Sequence, residues 1–196
     1  LITPTDYGTL LVILNEDSTA TPYNITCYLN SNNDLSTLDG ADDTLIALAA
    51  NDADVSITLD LTGYTGTIKT GSLFLASQVM GSNGIANLIC DPDYSQVFDI
   101  GSVSTFPVPL GVYIDIGCTL DAGASTWSIA GPWNNNGTFN AGTSTITFDG
   151  GNTNITTGGT GTNKDFYNVI VNATVDTTKT LVGGMKINNN LNVTRG

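Results

Sequence analysis

The chain has 196 residues, 40% of them hydrophobic and only 12% charged, with a net charge of −13 from 18 acidic and five basic residues. So few cations cannot neutralise a phosphate backbone or grip an anionic bilayer, which argues against nucleic-acid and membrane-surface partners. The absence of histidine removes the commonest general base and metal ligand, together with the Ser-His-Asp and Cys-His nucleophile systems.

The polar surface is built from Thr, Asn, Ser and Gly, which suit strands and tight turns, while the usual residues of exposed helix faces are scarce. An all-β protein is expected. A start at Leu1 rather than Met fits a processed mature form or a piece of a longer protein, with any export signal already removed.

In chain order, Leu10, Leu11, Val12, Ile13 and Leu14 form a run that is apolar on both strand faces. It is too short to span a membrane, and it fits a strand covered on both sides or one donated into a neighbouring subunit. Residues 24–29 alternate, with Ile25, Cys27 and Leu29 on one face. Residues 30–43 read as a turn-rich loop, and 44–50 as a short helix or a buried strand. The clearest half-buried strand covers 53–62, with Val55, Ile57, Leu59 and Leu61 pointing one way. Further strands are expected over 66–76 and 112–120. The segment around 106–110, with Pro107 and Pro109, suggests a boundary between a β-rich region at 1–108 and a repetitive one at 109–196.

The second region repeats itself. Residues 119–131 read TLDAGASTWSIAG and residues 138–150 read TFNAGTSTITFDG, an ungapped offset of 19. Leu120 aligns with Phe139, Trp127 with Ile146, and Ile129 with Phe148. A fainter echo lies at 38–46. A period near 20 with short strands and Gly/Asn corners is the signature of a parallel β-solenoid, whose apolar side chains stack into an internal column. Later alternations at Val169 and Val171, Met185 and Ile187, and Leu191 and Val193 fit it.

The run GPWNNNGTFNAGTSTITFDG at 131–150, with FYNVIV at 166–171 and INNNLNV at 187–193, resembles repeats of large bacterial and archaeal surface proteins of the β-solenoid adhesin type. The resemblance covers about 112–196. It implies a solenoid architecture and an extracellular, cell-surface location, and it leaves function open.

Five Asn-x-Thr sequons occur, at Asn24, Asn136, Asn154, Asn172 and Asn192, a number that chance supplies in a chain with 21 asparagines. At all but Asn136 the middle residue is apolar within an expected strand, so Asn and Thr share the outward face, where a covalent glycan has room. Cys27, Cys90 and Cys118 are too widely spaced for a CxxC motif. In an oxidising compartment two of them could pair. Cys90 with Cys118 closes the shorter loop and leaves the third thiol free, buried or bonded to another chain.

Acidic groups at Asp39, Asp42 and Asp43, at Asp52 and Asp54, and at Asp91 and Asp93 could offer oxygen ligands to calcium, but none matches an EF-hand, and solvated turns explain them as well. No cofactor is expected. Asp115, Asp121 and Asp149 raise a β-helix polysaccharide-degrading enzyme, yet the single arginine, Arg195, is terminal and clamps no groove. Trp127, Trp133, Tyr113 and Tyr167 could form a sugar-stacking platform, with Trp133 in the turn-like PWNNNG as its exposed candidate and Trp127 as a packing residue, although ordinary core or corner packing is the favoured reading. The leading expectation is a non-enzymatic structural subunit of an extracellular filament, pilus-like fibre or surface layer, assembling head-to-tail with copies of itself. An adhesin or carbohydrate-binding module is the alternative.

Overall fold

The computed structural model of the chain describes residues 10–14, 23–28, 45–50, 55–77, 84–101, 111–173 and 176–195. Among these there is no helix. Eighteen strands form three parallel sheets, the faces of a β-solenoid.

The first face stacks β1 (Leu10–Leu14), β3 (Leu45–Ala50), β6 (Ser72–Ala76), β9 (Gly111–Ile114), β12 (Trp133–Asn135), β15 (Thr153–Thr156) and β17 (Lys179–Val182). The second stacks β2 (Tyr23–Tyr28), β4 (Val55–Asp60), β7 (Ile85–Ile89), β10 (Thr119–Asp121) and β13 (Thr138–Asn140). The third stacks β5 (Thr67–Thr70), β8 (Val97–Ile100), β11 (Thr126–Ile129), β14 (Thr145–Phe148), β16 (Phe166–Ala173) and β18 (Ile187–Arg195). From β3 to β15 the chain visits the faces in turn, so each strand pairs with one a full coil away. That explains why no hairpin occurs among the described residues.

Of the 44–50 segment, Leu45–Ala50 therefore holds a strand, not a helix. Two expected long strands are each bent at a corner: 66–76 divides into β5 and β6, and 112–120 into β9 and β10. Strands on both sides of 102–110 share the same sheets, because β6 pairs with β9, β7 with β10 and β8 with β11. The expected change of region at 108/109 falls in that stretch, which lies outside the described residues, as do the loop at 30–43 and most of the echo at 38–46.

Alternation drives the packing. Inward positions of one strand sit on inward positions of the next, giving columns such as Cys27, Leu59, Leu88, Leu120 and Phe139. Another runs through Ile68, Phe98, Trp127, Ile146 and Val169, all buried. Within it the Phe98 and Trp127 rings stack with centroids 3.8 Å apart and planes 3° from parallel. Outward positions carry Thr58, Asn87, Thr119 and Thr138 in the same register.

The expected stacking of Leu120 on Phe139 is present, nineteen residues apart. Other steps are longer: Leu88 sits on Leu120 thirty-two residues on, and Leu59 on Leu88 twenty-nine on. The strands keep step, and among the described residues part of the difference is accommodated at longer corners such as 61–66 and 90–96. Two of the tightest corners are 122–125 and 141–144. There Gly123 and Gly142 adopt φ of +51° and +55°, and a Cβ on Gly142 would lie 2.2 Å from the Gly123 carbonyl oxygen. Only glycine allows coils to approach this closely in that conformation.

The corresponding corner at 90–96 is longer and uses polar side chains. Buried Asp91 accepts hydrogen bonds from the backbone N–H groups of Gly63, Asp93 and Tyr94 at 2.6, 2.7 and 3.1 Å. Buried Gln96 donates to the Leu61 and Tyr64 carbonyls at 3.1 and 2.8 Å. The two side chains bond one coil to the previous one. Their backbone carbonyls accept from Ala124 and Thr126 of the next.

Replacing Phe139 by Ala should lower stability by roughly 3–5 kcal/mol in urea unfolding, because the surrounding coils cannot collapse onto the void. The outward neighbour change Thr138→Ala should cost within about 0.5 kcal/mol. Equal losses would contradict the inward and outward assignment.

Candidate assembly surface and outward sequons

The coil column does not end alike on its three faces. On the second face the stack stops at β13, and residues 161–165 lie over it, with the Asn163 carbonyl accepting from Phe139 N–H at 2.8 Å. Phe166 then enters the core among Trp133, Phe139 and Phe148, with ring centroids 5.4, 5.2 and 6.3 Å away. Asp165, only 3% exposed, accepts from Gly161 N–H at 2.8 Å and pairs with Lys186 Nζ at 2.6 Å. The Lys186 ammonium and the Gly161 N–H hold its carboxyl below its ordinary value.

The first and third faces run on. β17 continues the column Ile46, Leu73, Val112, Trp133 and Ile155 with Leu181, which is 48% exposed. β18 continues two third-face columns with Leu191 and Val193, 54% and 66% exposed. These are inward positions by register, and they are open because nothing among the described residues stacks on them. β17 and β18 each pair on one edge only. Among the described residues, Leu181, Leu191 and Val193 thus lie exposed beside the unpaired edges of β17 and β18.

At the opposite end the expected assembly strand Leu10–Leu14 is β1. It pairs with β3 of its own chain over its whole length, from Leu10 on Ile46 to Leu14 on Ala50, and its other edge has no partner among the described residues.

The sequon asparagines Asn24, Asn136, Asn154, Asn172 and Asn192 are all exposed. Thr26 and Thr194 are exposed too, Thr138 and Thr156 are half-buried, and Thr174 lies outside the described residues. Asn172 accepts a hydrogen bond from Thr194 in the next coil at 3.3 Å.

Several expectations need correction. Trp133 is not an exposed aromatic. It begins β12 and is fully buried, its ring edge-on to Phe139 at 4.9 Å. Trp127 packs inward as expected, and Tyr167 is half-buried against the core. Tyr113 is half-buried on the outward side of β9, stacked on Phe74 at 5.0 Å. The platform of four aromatics is therefore not assembled.

The Cys90–Cys118 disulfide is absent, and all three cysteines are free. Register gives the reason. Cys118 precedes β10 and so falls beside Ala86, four residues from Cys90 along the adjacent strand, about 13 Å away and beyond disulfide reach. Burial pushes the Cys90 thiol up to about 12 and the Cys118 thiol up to about 11.

The acids already have structural partners. The Asp91 carboxyl is held below its ordinary value chiefly by the Gly63 and Asp93 N–H groups. Asp115 accepts from the Ser77 N–H and hydroxyl at 3.3 and 3.1 Å, Asp121 from Gly123 N–H at 3.3 Å, and Asp149 from the Ser128 hydroxyl. Among the described residues no group of three or more acidic or thiol side chains converges on a metal-sized site. Asp39, Asp42, Asp43, Asp52 and Asp54 lie outside the described residues. The contacts that Asp91 makes with the Gly63 N–H and Asp165 with the Lys186 ammonium carry no sequence signal, since both partners lie a coil away.

No family model, curated protein or solved structure matches the chain.

Cys90 and Cys118 should resist a thiol reagent in the folded protein and react once it is unfolded in denaturant. Rapid labelling of either under native conditions, located by peptide mapping, would contradict their placement. Asp165 stabilises the fold where it is ionised. With its folded value below the unfolded one, that contribution is complete above the ordinary carboxylate range and is lost as pH falls through the folded value. The thermal midpoint should accordingly drop below about pH 4, with Asp165→Asn flattening the drop.

Proposed function

We propose that this chain is a structural element of an extracellular filament, fibre or surface layer, joining copies of itself head-to-tail through the open end of its coil. The supporting observation is the run of interior columns out to Leu181, Leu191 and Val193 between the free edges of β17 and β18. A strand laid on those edges completes backbone hydrogen bonds and covers apolar side chains at once, which is β-augmentation. The apolar segment Leu10–Leu14 of another copy, at the opposite edge of the same face, has the matching chemistry.

Charge favours the same pairing. Residues 1–60 contain ten acidic and no basic residues, whereas residues 150–196 contain four of the five basic residues and two acidic ones. The acidic first part of the sequence and the more basic last part therefore carry complementary charge for a pairing of unlike ends. The same arrangement disfavours like ends meeting, and a head-to-tail contact of this kind does not close on itself. The low charge density and the outward Asn and Thr faces suit a polymer exposed to solvent along its length.

Light scattering and negative-stain electron microscopy across a concentration series test the reading. The expected result is linear oligomers that lengthen with concentration, shorten as salt is raised, and are lost in Leu191→Ser/Val193→Ser. A folded monomer at every concentration and ionic strength would overturn it.

A further inference from the structure

The segment that covers the second face carries Lys164 across the end of β12. Its Nζ lies 3.4 Å from Oδ1 of Asn135 and donates to the Gly137 carbonyl. Asn135 is fully buried, and its amide nitrogen Nδ2 has no hydrogen-bond partner. Gly158 keeps the passage open: a Cβ there would lie 3.0 Å from Lys164 Nζ and 2.2 Å from the Asn135 carbonyl oxygen. The neighbouring carboxylate, Asp165, is committed to Lys186 and Gly161, and no carboxylate among the described residues forms an ion pair with Lys164. An amine is thus held against a buried primary amide.

We propose that Lys164 and Asn135 are a site of intramolecular isopeptide bond formation. The Nζ lone pair attacks Cγ of Asn135. The Nζ–Cγ bond forms, the Cγ–Nδ2 bond breaks, and one Nζ proton leaves with Nδ2 as ammonia. No oxidant, reductant or cofactor enters the balance. Burial pushes the Lys164 ammonium below its ordinary value, which raises the share of neutral amine able to attack. In the product, Oδ1 remains a carbonyl oxygen and the remaining Nζ–H still faces the Gly137 carbonyl. The buried nitrogen without a partner has left. The bond links the first face to the cover of the second across twenty-nine residues, fastening the chain where its coil changes from three faces to two.

Intact-mass spectrometry of the folded full chain, followed by tryptic mapping, tests the proposal. The expected result is a mass about 17 Da below that of the sequence, loss of tryptic cleavage at Lys164, and a branched peptide joining Lys164 to Asn135. Lys164→Arg keeps a cation over the Gly137 carbonyl and Asn135→Ala removes the amide; each should restore the full mass. A folded protein of full mass would overturn the proposal. So would the same deficit with Lys164 still cleavable, which is the mark of a succinimide at Asn136-Gly137.

Discussion

Backbone hydrogen bonds in this chain run almost entirely between coils, and that requirement governs everything else. A strand of a parallel solenoid gives its N–H and C=O groups to strands about 4.8 Å above and below it, so every residue inherits a fixed neighbour in the next coil. Inward side chains must then pack on inward side chains whatever their separation in sequence. Phe98 and Trp127 stack face to face because register allows little else, and the Leu59, Leu88, Leu120 and Phe139 column follows from the same rule. Corners must keep the strands in step. Where a corner is minimal, glycine achieves this by close backbone approach; where it is longer, Asp91 and Gln96 reach into neighbouring coils and hold it.

This explains which parts of the fold are legible in the sequence. The nineteen-residue repeat is visible because the corners 122–125 and 141–144 have equal length and the same Ala-Gly-x-Ser chemistry. Earlier coils obey the same register, but corners at 61–66 and 90–96 and longer loops destroy any fixed period. Alternation identifies strands such as Val55–Asp60, yet it passes straight through Gly71 and Gly117, where the chain changes face. For an apolar run as short as 44–50, periodicity cannot separate helix from strand. The neighbours β1 and β6 decide it.

Trp133 and the cysteines mislead for a related reason. In PWNNNG the polar residues read as a turn, but Asn134 points outward while Trp133 and Asn135 occupy inward positions set by Val112 and Ile114 on β9. Loop length favours a Cys90–Cys118 bridge, whereas register places the two thiols toward opposite ends of adjoining strands. A site that combines residues from several coils, such as Lys164 with Asn135, has no local pattern at all. The reach of Lys164 is set by where the second face stops.

The two open faces also limit what an end contact can contribute. Complete burial is worth roughly 1.5–3 kcal/mol for a fully exposed apolar side chain and about half of that for the half-exposed Leu181, Leu191 and Val193, while association costs about 4–15 kcal/mol in lost translational and rotational freedom before any side-chain ordering. The apolar anchors alone therefore fall short of that cost. Net attraction has to come from backbone bonds along the β17 and β18 edges and from the charge difference between the chain's ends. Of these, only the backbone bonds persist at high salt, since exposed charges are screened beyond about 8–10 Å at physiological ionic strength. The second face contributes little to such a contact, because residues 161–165 already occupy its place above β13. In the proposed fibre, a chain joined on two faces and closed on the third would be held in one rotational setting about its axis, which a symmetric apolar end would not supply.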